Sequence, residues 1–94
     1  MKKLTTLALA LAFSAPVHAG DWRCENGGNE RIIRVQYETE GSAVPCMVVY
    51  DKITEGGTEY PWNAKGQAGY CEEKADYLKE RLEGFGWTCA ALTE

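Results

Sequence analysis

The chain has 94 residues with four cysteines, 14 acidic and 10 basic residues and one histidine, for a formal charge of −4. That length leaves room for one domain. The acidic balance disfavours nucleic acid and anionic lipid, because phosphate groups are held by clustered Lys and Arg.

Lys2 and Lys3 precede an apolar run from Leu4 to Ala15, about a dozen residues against the ~20 needed to cross a bilayer. Val17-His18-Ala19 then offers small residues where a signal peptidase reads. Residues 1–19 are therefore expected to be a cleaved export signal of bacterial type. Cleavage would remove Lys2, Lys3 and the only histidine, His18, leaving a 75-residue chain of charge −6 that starts at Gly20. Gly20 is not a cysteine, so no lipid attachment and no stable membrane anchor are expected. A protein of the periplasm or medium is the simplest placement.

A mature chain without histidine lacks the general base of Ser-His-Asp and Cys-His catalysis and the usual zinc ligands. Ser42, its one serine, stands in no nucleophile-elbow context, and Gly84-Phe85-Gly86 falls short of a dinucleotide fingerprint. A non-enzymatic protein is expected, with no cofactor and no metal.

The polar, Gly-bearing stretch from Gly20 to Asn29 reads as an irregular lead-in. Arg31 to Thr39 alternates, with Ile33, Val35 and Tyr37 on one face and Arg34, Gln36 and Glu38 on the other, which predicts a half-buried strand. Glu40 to Ala43 is a turn, and Cys46 to Tyr50 suits a more buried strand. Asp51 to Gly57 makes a charged hairpin tip ending in two glycines. Thr58 to Ala64 is a third strand, with Tyr60 and Trp62 on one face. Pro61 has no N–H to give, so this strand belongs at an edge or carries a bulge there.

Cys71, Ala75, Leu78 and Leu82 form one apolar stripe and predict a helix over about Gln67–Glu83. Glu72 and Glu73 suit the positive end of its dipole, and Gly84 offers a left-handed cap. Trp87 to Leu92 is again strand-like. The expected fold is α+β: a small, mostly antiparallel sheet in the order β-β-β-α-β, one helix packed on a face, and two disulfides.

Four cysteines in so short an exported chain imply two disulfides with three possible connectivities. In the alternating topology, Cys46 and Cys71 lie at one end of the sheet, while Cys24 and Cys89 lie at the other. Cys46–Cys71 with Cys24–Cys89 is the pairing that needs no long reach. Redox catalysis is the competing use, but no two cysteines stand in C-x-x-C, and Glu72 and Glu73 oppose a thiolate at Cys71.

Tyr37, Tyr50, Tyr60, Trp62, Tyr70, Tyr77 and Trp87 are many aromatics for one small domain, and most serve as core filler. Trp22, Tyr60 and Trp62 are the candidates for an exposed contact surface, with Ile53 at the hairpin tip. The helix acids Glu72, Glu73, Asp76 and Glu80 could dock on a basic partner, although such a face is commonly just solvated. Asp21, Glu25, Asn26, Asn29 and Glu30 are oxygen-rich but do not match the helix-loop-helix calcium spacing.

The run Gly69-Tyr70-Cys71-Glu72-Glu73-Lys74-Ala75, then Leu82-Glu83-Gly84 and Gly86-Trp87-Thr88-Cys89, resembles a family of small exported bacterial proteins with four cysteines. Val44-Pro45-Cys46 and Trp62-Asn63-Ala64 extend the likeness over residues 44–89. It implies an exported α+β domain and no activity. Trp22-Arg23-Cys24 also resembles the start of bacterial inhibitors of c-type lysozyme, which are all-β barrels; no site residue carries over.

Function is accordingly expected to be that of a periplasmic or secreted interaction module for a cationic partner, such as an envelope protein or a lysozyme-like enzyme. The alternatives are a periplasmic thiol–disulfide protein using Cys46 and Cys71, or a protein like the lysozyme inhibitors.

Overall fold

The computed structural model describes residues 17–93. The export signal expected over residues 1–19 falls mostly outside the described residues. Five strands and one helix follow in the order β1 (Val17–Asn26), β2 (Asn29–Tyr37), β3 (Cys46–Asp51), β4 (Thr58–Ala64), α1 (Tyr70–Gly84) and β5 (Thr88–Thr93). The strands form one antiparallel sheet in the spatial order β4-β3-β2-β1-β5.

The stretch expected to be an irregular lead-in is instead β1, which lies between β2 and β5. Its alternation is real: Trp22 and Cys24 turn inward while Arg23 and Glu25 turn out, in register with Ile33, Arg31, Ile32 and Glu30. Charged outward residues and the Gly pair hid it. Gly27 (φ 64°) lets Gly27-Gly28 close the hairpin in two residues, directly after the Asn26↔Asn29 pair.

The other elements form where the pattern put them, to within a few residues. Edge strand β4 shifts register against β3 between Val48 and Tyr50. Three β4 steps, Glu59 to Trp62, span the two β3 steps, so Tyr60-Pro61 form a bulge. The missing Pro61 N–H is thus placed where no ladder bond is required. The bulge also separates Tyr60 from Trp62. Trp62, opposite Val48, packs against the core beneath the helix, whereas Tyr60 joins Met47 and Gln36 on the other face.

Helix α1 touches every strand. The chain leaves β4 at the Tyr37–Cys46–Ala64 end of the sheet and must enter β5 at the opposite end and opposite edge. Fifteen helical residues span about 22 Å, enough to make that return. Cys71, Ala75 and Leu82 are its buried residues, facing Cys24, Ile33, Val35, Cys46, Val48 and Tyr50. The left-handed exit residue is Gly86 (φ 98°), not Gly84, because Gly84 still belongs to the helix and Trp87 N–H reaches back to Leu82 O. Ile32 is buried but stands outside this core, on the helix-free face.

Two disulfides, Cys24–Cys89 and Cys46–Cys71, are present in the pairing the topology favoured. The first bridges directly opposed residues of β1 and β5, with Cα atoms 4.0 Å apart. The second fixes the first turn of α1 to the start of β3.

One backbone position carries unusual constraint. Gly20 is buried with φ +83°, and a Cβ there would lie 2.9 Å from Val35 Cγ2 and 3.3 Å from Ala75 Cβ. Its neighbour Asp21 is also buried, and Asp21 Oδ1 accepts the Val35 N–H at 2.9 Å. The side chain thereby satisfies a strand donor where the β1 ladder turns irregular.

Candidate functional site

The sheet end that carries Cys46–Cys71 holds two adjoining recesses on either side of Tyr37-Glu38. The larger, of about 930 Å³, is lined by Tyr37, Pro45, Met47 and Tyr60, with Gln36, Glu38, Asn63 and Lys65 as its polar groups. The smaller, of about 690 Å³, is lined by Tyr37, Glu38, Glu40, Ser42 and Glu72. The β2–β3 connection brings Glu38 and Glu40 to the rim, and the first turn of α1 adds Glu72. Lys65 is the one basic residue among the lining groups. A cleft of aromatic and apolar floor with carboxylates on its rim can stack the stem of a Lys or Arg side chain while pairing its charge.

Tyr37 is the pivot of both recesses. Its hydroxyl donates a hydrogen bond to Glu72 Oε2. Burial, then that hydrogen bond and the nearby carboxylate charges of Glu72 and Asp21, push the phenol up to about 12. A phenol that keeps its proton longer in the folded state stabilises the fold fully below its ordinary value of 10.0, and that contribution fades as pH rises through about 12. Absorbance titration of the tyrosinates is expected to show a late-titrating group that disappears in Tyr37→Phe. An unchanged titration curve in that variant would place the late group elsewhere.

The candidate contact residues do not gather into one surface. Tyr60, 59% exposed, lines the larger recess and Glu72 the smaller. Trp22 is packed beneath the helix: its Nε1–H donates to Asp76 Oδ1 at 2.9 Å, and Lys79 Nζ lies 4.5 Å from the ring centroid. That contact also engages Asp76, so the acid expected on a free docking face is tied to the sheet. Trp62 meets Tyr77 edge to face at 6.0 Å, under the ammonium of Lys74. Glu73 and Glu80 are exposed on the helix. Ile53, 49% exposed, is on the β3–β4 tip at the far end of the sheet from Glu72.

That far end has its own cluster, and its charges are satisfied internally. Arg31 Nε and Nη2 donate to the two carboxylate oxygens of Glu55 at 2.7 and 2.8 Å, while Nη1 donates to the Tyr50 hydroxyl at 2.5 Å. The guanidinium also lies over Trp87, 4.3 Å from the centroid. The hydrogen bond to Glu55 raises the Arg31 pKa above its ordinary value, and Arg31 in turn lowers that of Glu55. The cluster holds the hairpin tip to the helix exit and offers no open charge. The oxygen-rich residues Glu25, Asn26, Asn29 and Glu30 are strung along the β1–β2 hairpin, where Glu30 pairs with Arg23 at 3.2 Å.

Cys46 and Cys71 are bonded to each other and buried, with 4% and 0% exposure, so no attacking thiolate can reach that sulfur pair without prior opening. Glu38, Glu40, Pro45, Met47 and Lys65 were not legible as site residues. Their only sequence signal was the acid–aromatic run Tyr37-Glu38-Thr39-Glu40, which reads equally well as the end of a strand and a turn. No protein-family model, curated protein or solved structure matches the chain.

Proposed function

We propose that this chain is a non-enzymatic binding module of the periplasm or medium, whose cleft at the Tyr37 end of the sheet takes a basic segment of a cationic protein. The observation that carries the reading is the adjoining pair of recesses sharing Tyr37 and Glu38, with Glu38 and Glu40 at the rim and Glu72 in the wall. Aromatic floor and acidic rim match the two parts of a Lys or Arg side chain. The charge of −6 expected for the cleaved chain adds long-range attraction for a basic partner. The disulfides, together with the export signal expected from the sequence, support action outside the cytoplasm, where disulfides persist. Among the described residues, no helix is long and apolar enough to cross a membrane.

The test is calorimetric titration with a c-type lysozyme, as a basic protein probe, at low and at high salt. Binding is expected to weaken with salt, because exposed charges are screened over about 8–10 Å. Combining Glu38→Gln with Glu40→Gln is expected to lower affinity about tenfold, the combined effect of two rim charges. Affinity indifferent to both salt and the double substitution would overturn the electrostatic cleft.

A further inference from the structure

We infer that the cleft's Glu72 also receives the α-ammonium group created at Gly20 when the export signal is removed, so that maturation itself locks β1 under the helix. The inference rests on cleavage after Ala19. Hydrolysis of the Ala19–Gly20 bond consumes one water and leaves a carboxylate on Ala19 and an ammonium on Gly20. In the uncut chain Gly20 is buried. A Cβ on Gly20 would lie 3.4 Å from Glu72 Cα, in the first turn of α1. A charge delivered there must find an opposite charge, because an unpaired buried ion is costly.

Glu72 has the matching vacancy among its acceptors. Its Oε2 takes the Tyr37 hydroxyl proton, while Oε1 is buried and has no hydrogen-bond partner. A buried carboxylate oxygen without a donor is uncommon in a folded protein and calls for a partner. The ammonium supplies three N–H donors to that neighbourhood. Asp21, the next residue of β1, is engaged through Oδ1 by the Val35 N–H, which leaves Glu72 as the acceptor that the inference uses.

The strand geometry is arranged for this cut. The regular β1–β5 ladder runs from Trp22↔Ala91 to Glu25↔Thr88, and the register shifts between Val17 and Trp22. Cleavage after Ala19 therefore leaves all four regular pairs in place and forfeits only the Val17↔Thr93 pair beyond the irregularity.

The experiment uses exported protein purified from its own compartment, with the N-terminus read by intact mass. Its α-amine is converted selectively to a carbonyl by transamination, which spares lysine side chains, and the melting temperature is compared before and after in wild type and Glu72→Gln. Gln keeps an acceptor for the Tyr37 hydroxyl but removes the charge. The expected result is a Gly20 N-terminus and a drop of about 4–8 °C in wild type, largely absent in Glu72→Gln. No drop, or an equal drop in both proteins, would overturn the lock while leaving cleavage after Ala19 standing. An N-terminus other than Gly20 would overturn both.

Discussion

Reduction of both disulfides is expected to unfold the protein. A core in a domain of this size contributes only roughly 3–5 kcal/mol before stapling. The Cys24–Cys89 bridge closes a loop of 65 residues and Cys46–Cys71 one of 25. In the chain-entropy account these closures restrict the unfolded chain by about 4 and about 3.5 kcal/mol. Their sum equals or exceeds everything the core supplies, so loss of both leaves no margin. The bridges also do different structural jobs. Cys24–Cys89 ties β5 to β1 after the chain has passed through the whole helix, and Cys46–Cys71 holds the helix start, and with it Glu72, over the sheet. Near-UV circular dichroism with and without reductant checks the prediction, and a reduced protein that keeps its tertiary signal would refute it. Replacing Cys46 and Cys71 by Ala is expected to impair the cleft more than replacing Cys24 and Cys89, since the recess wall formed by Glu72 hangs on the first pair.

In the uncut chain, which retains Ala19, substituting Gly20 by Ala is expected to destabilise the fold by about 2–4 kcal/mol, the sum of a left-handed backbone strain and overpacking. The backbone contribution arises because φ is +83°, a region L side chains avoid. The packing contribution arises because the new methyl meets Val35 Cγ2 at 2.9 Å and Ala75 Cβ at 3.3 Å, between sheet and helix where neither side can retreat easily. Gly41 is the matched control. It has nearly the same conformation, φ +84°, but no atom within 4 Å of an added Cβ, so Gly41→Ala should cost only about 1–2 kcal/mol of backbone strain. Denaturant melts of both variants separate the two contributions. Equal losses would show that Gly20 is required for its conformation alone and that the helix does not press on it.

Much of the architecture was written in local pattern. The 4-3-4 spacing of Cys71, Ala75, Leu78 and Leu82 marks the helix, and Ile33, Val35 and Tyr37 mark the inward face of β2, because periodic burial leaves a periodic trace. Pro61 marked an edge or bulged strand and proved to sit in both. The alternating topology even selected the disulfide pairing, since strand direction decides which cysteines meet at which end. β1 escaped because its inward residues are a glycine, a tryptophan and a cysteine set between charges, and the glycines and asparagines around them read as a loop.

What the sequence determined by itself was therefore the α+β class, the helix, the staples and the expectation of export: properties set by composition and by neighbours a few residues apart. The tertiary structure alone decided the site. Tyr60 and Trp62 parted because a bulge turned one to each face, and Trp22 and Asp76, 54 positions apart, neutralised each other as candidates by bonding together. Glu38, Glu40 and Glu72 gather around Tyr37 only because the sheet end and the helix start are pinned by Cys46–Cys71. Convergence of groups distant in the chain depends on register and packing direction, and neither is encoded in the spacing of adjacent residues.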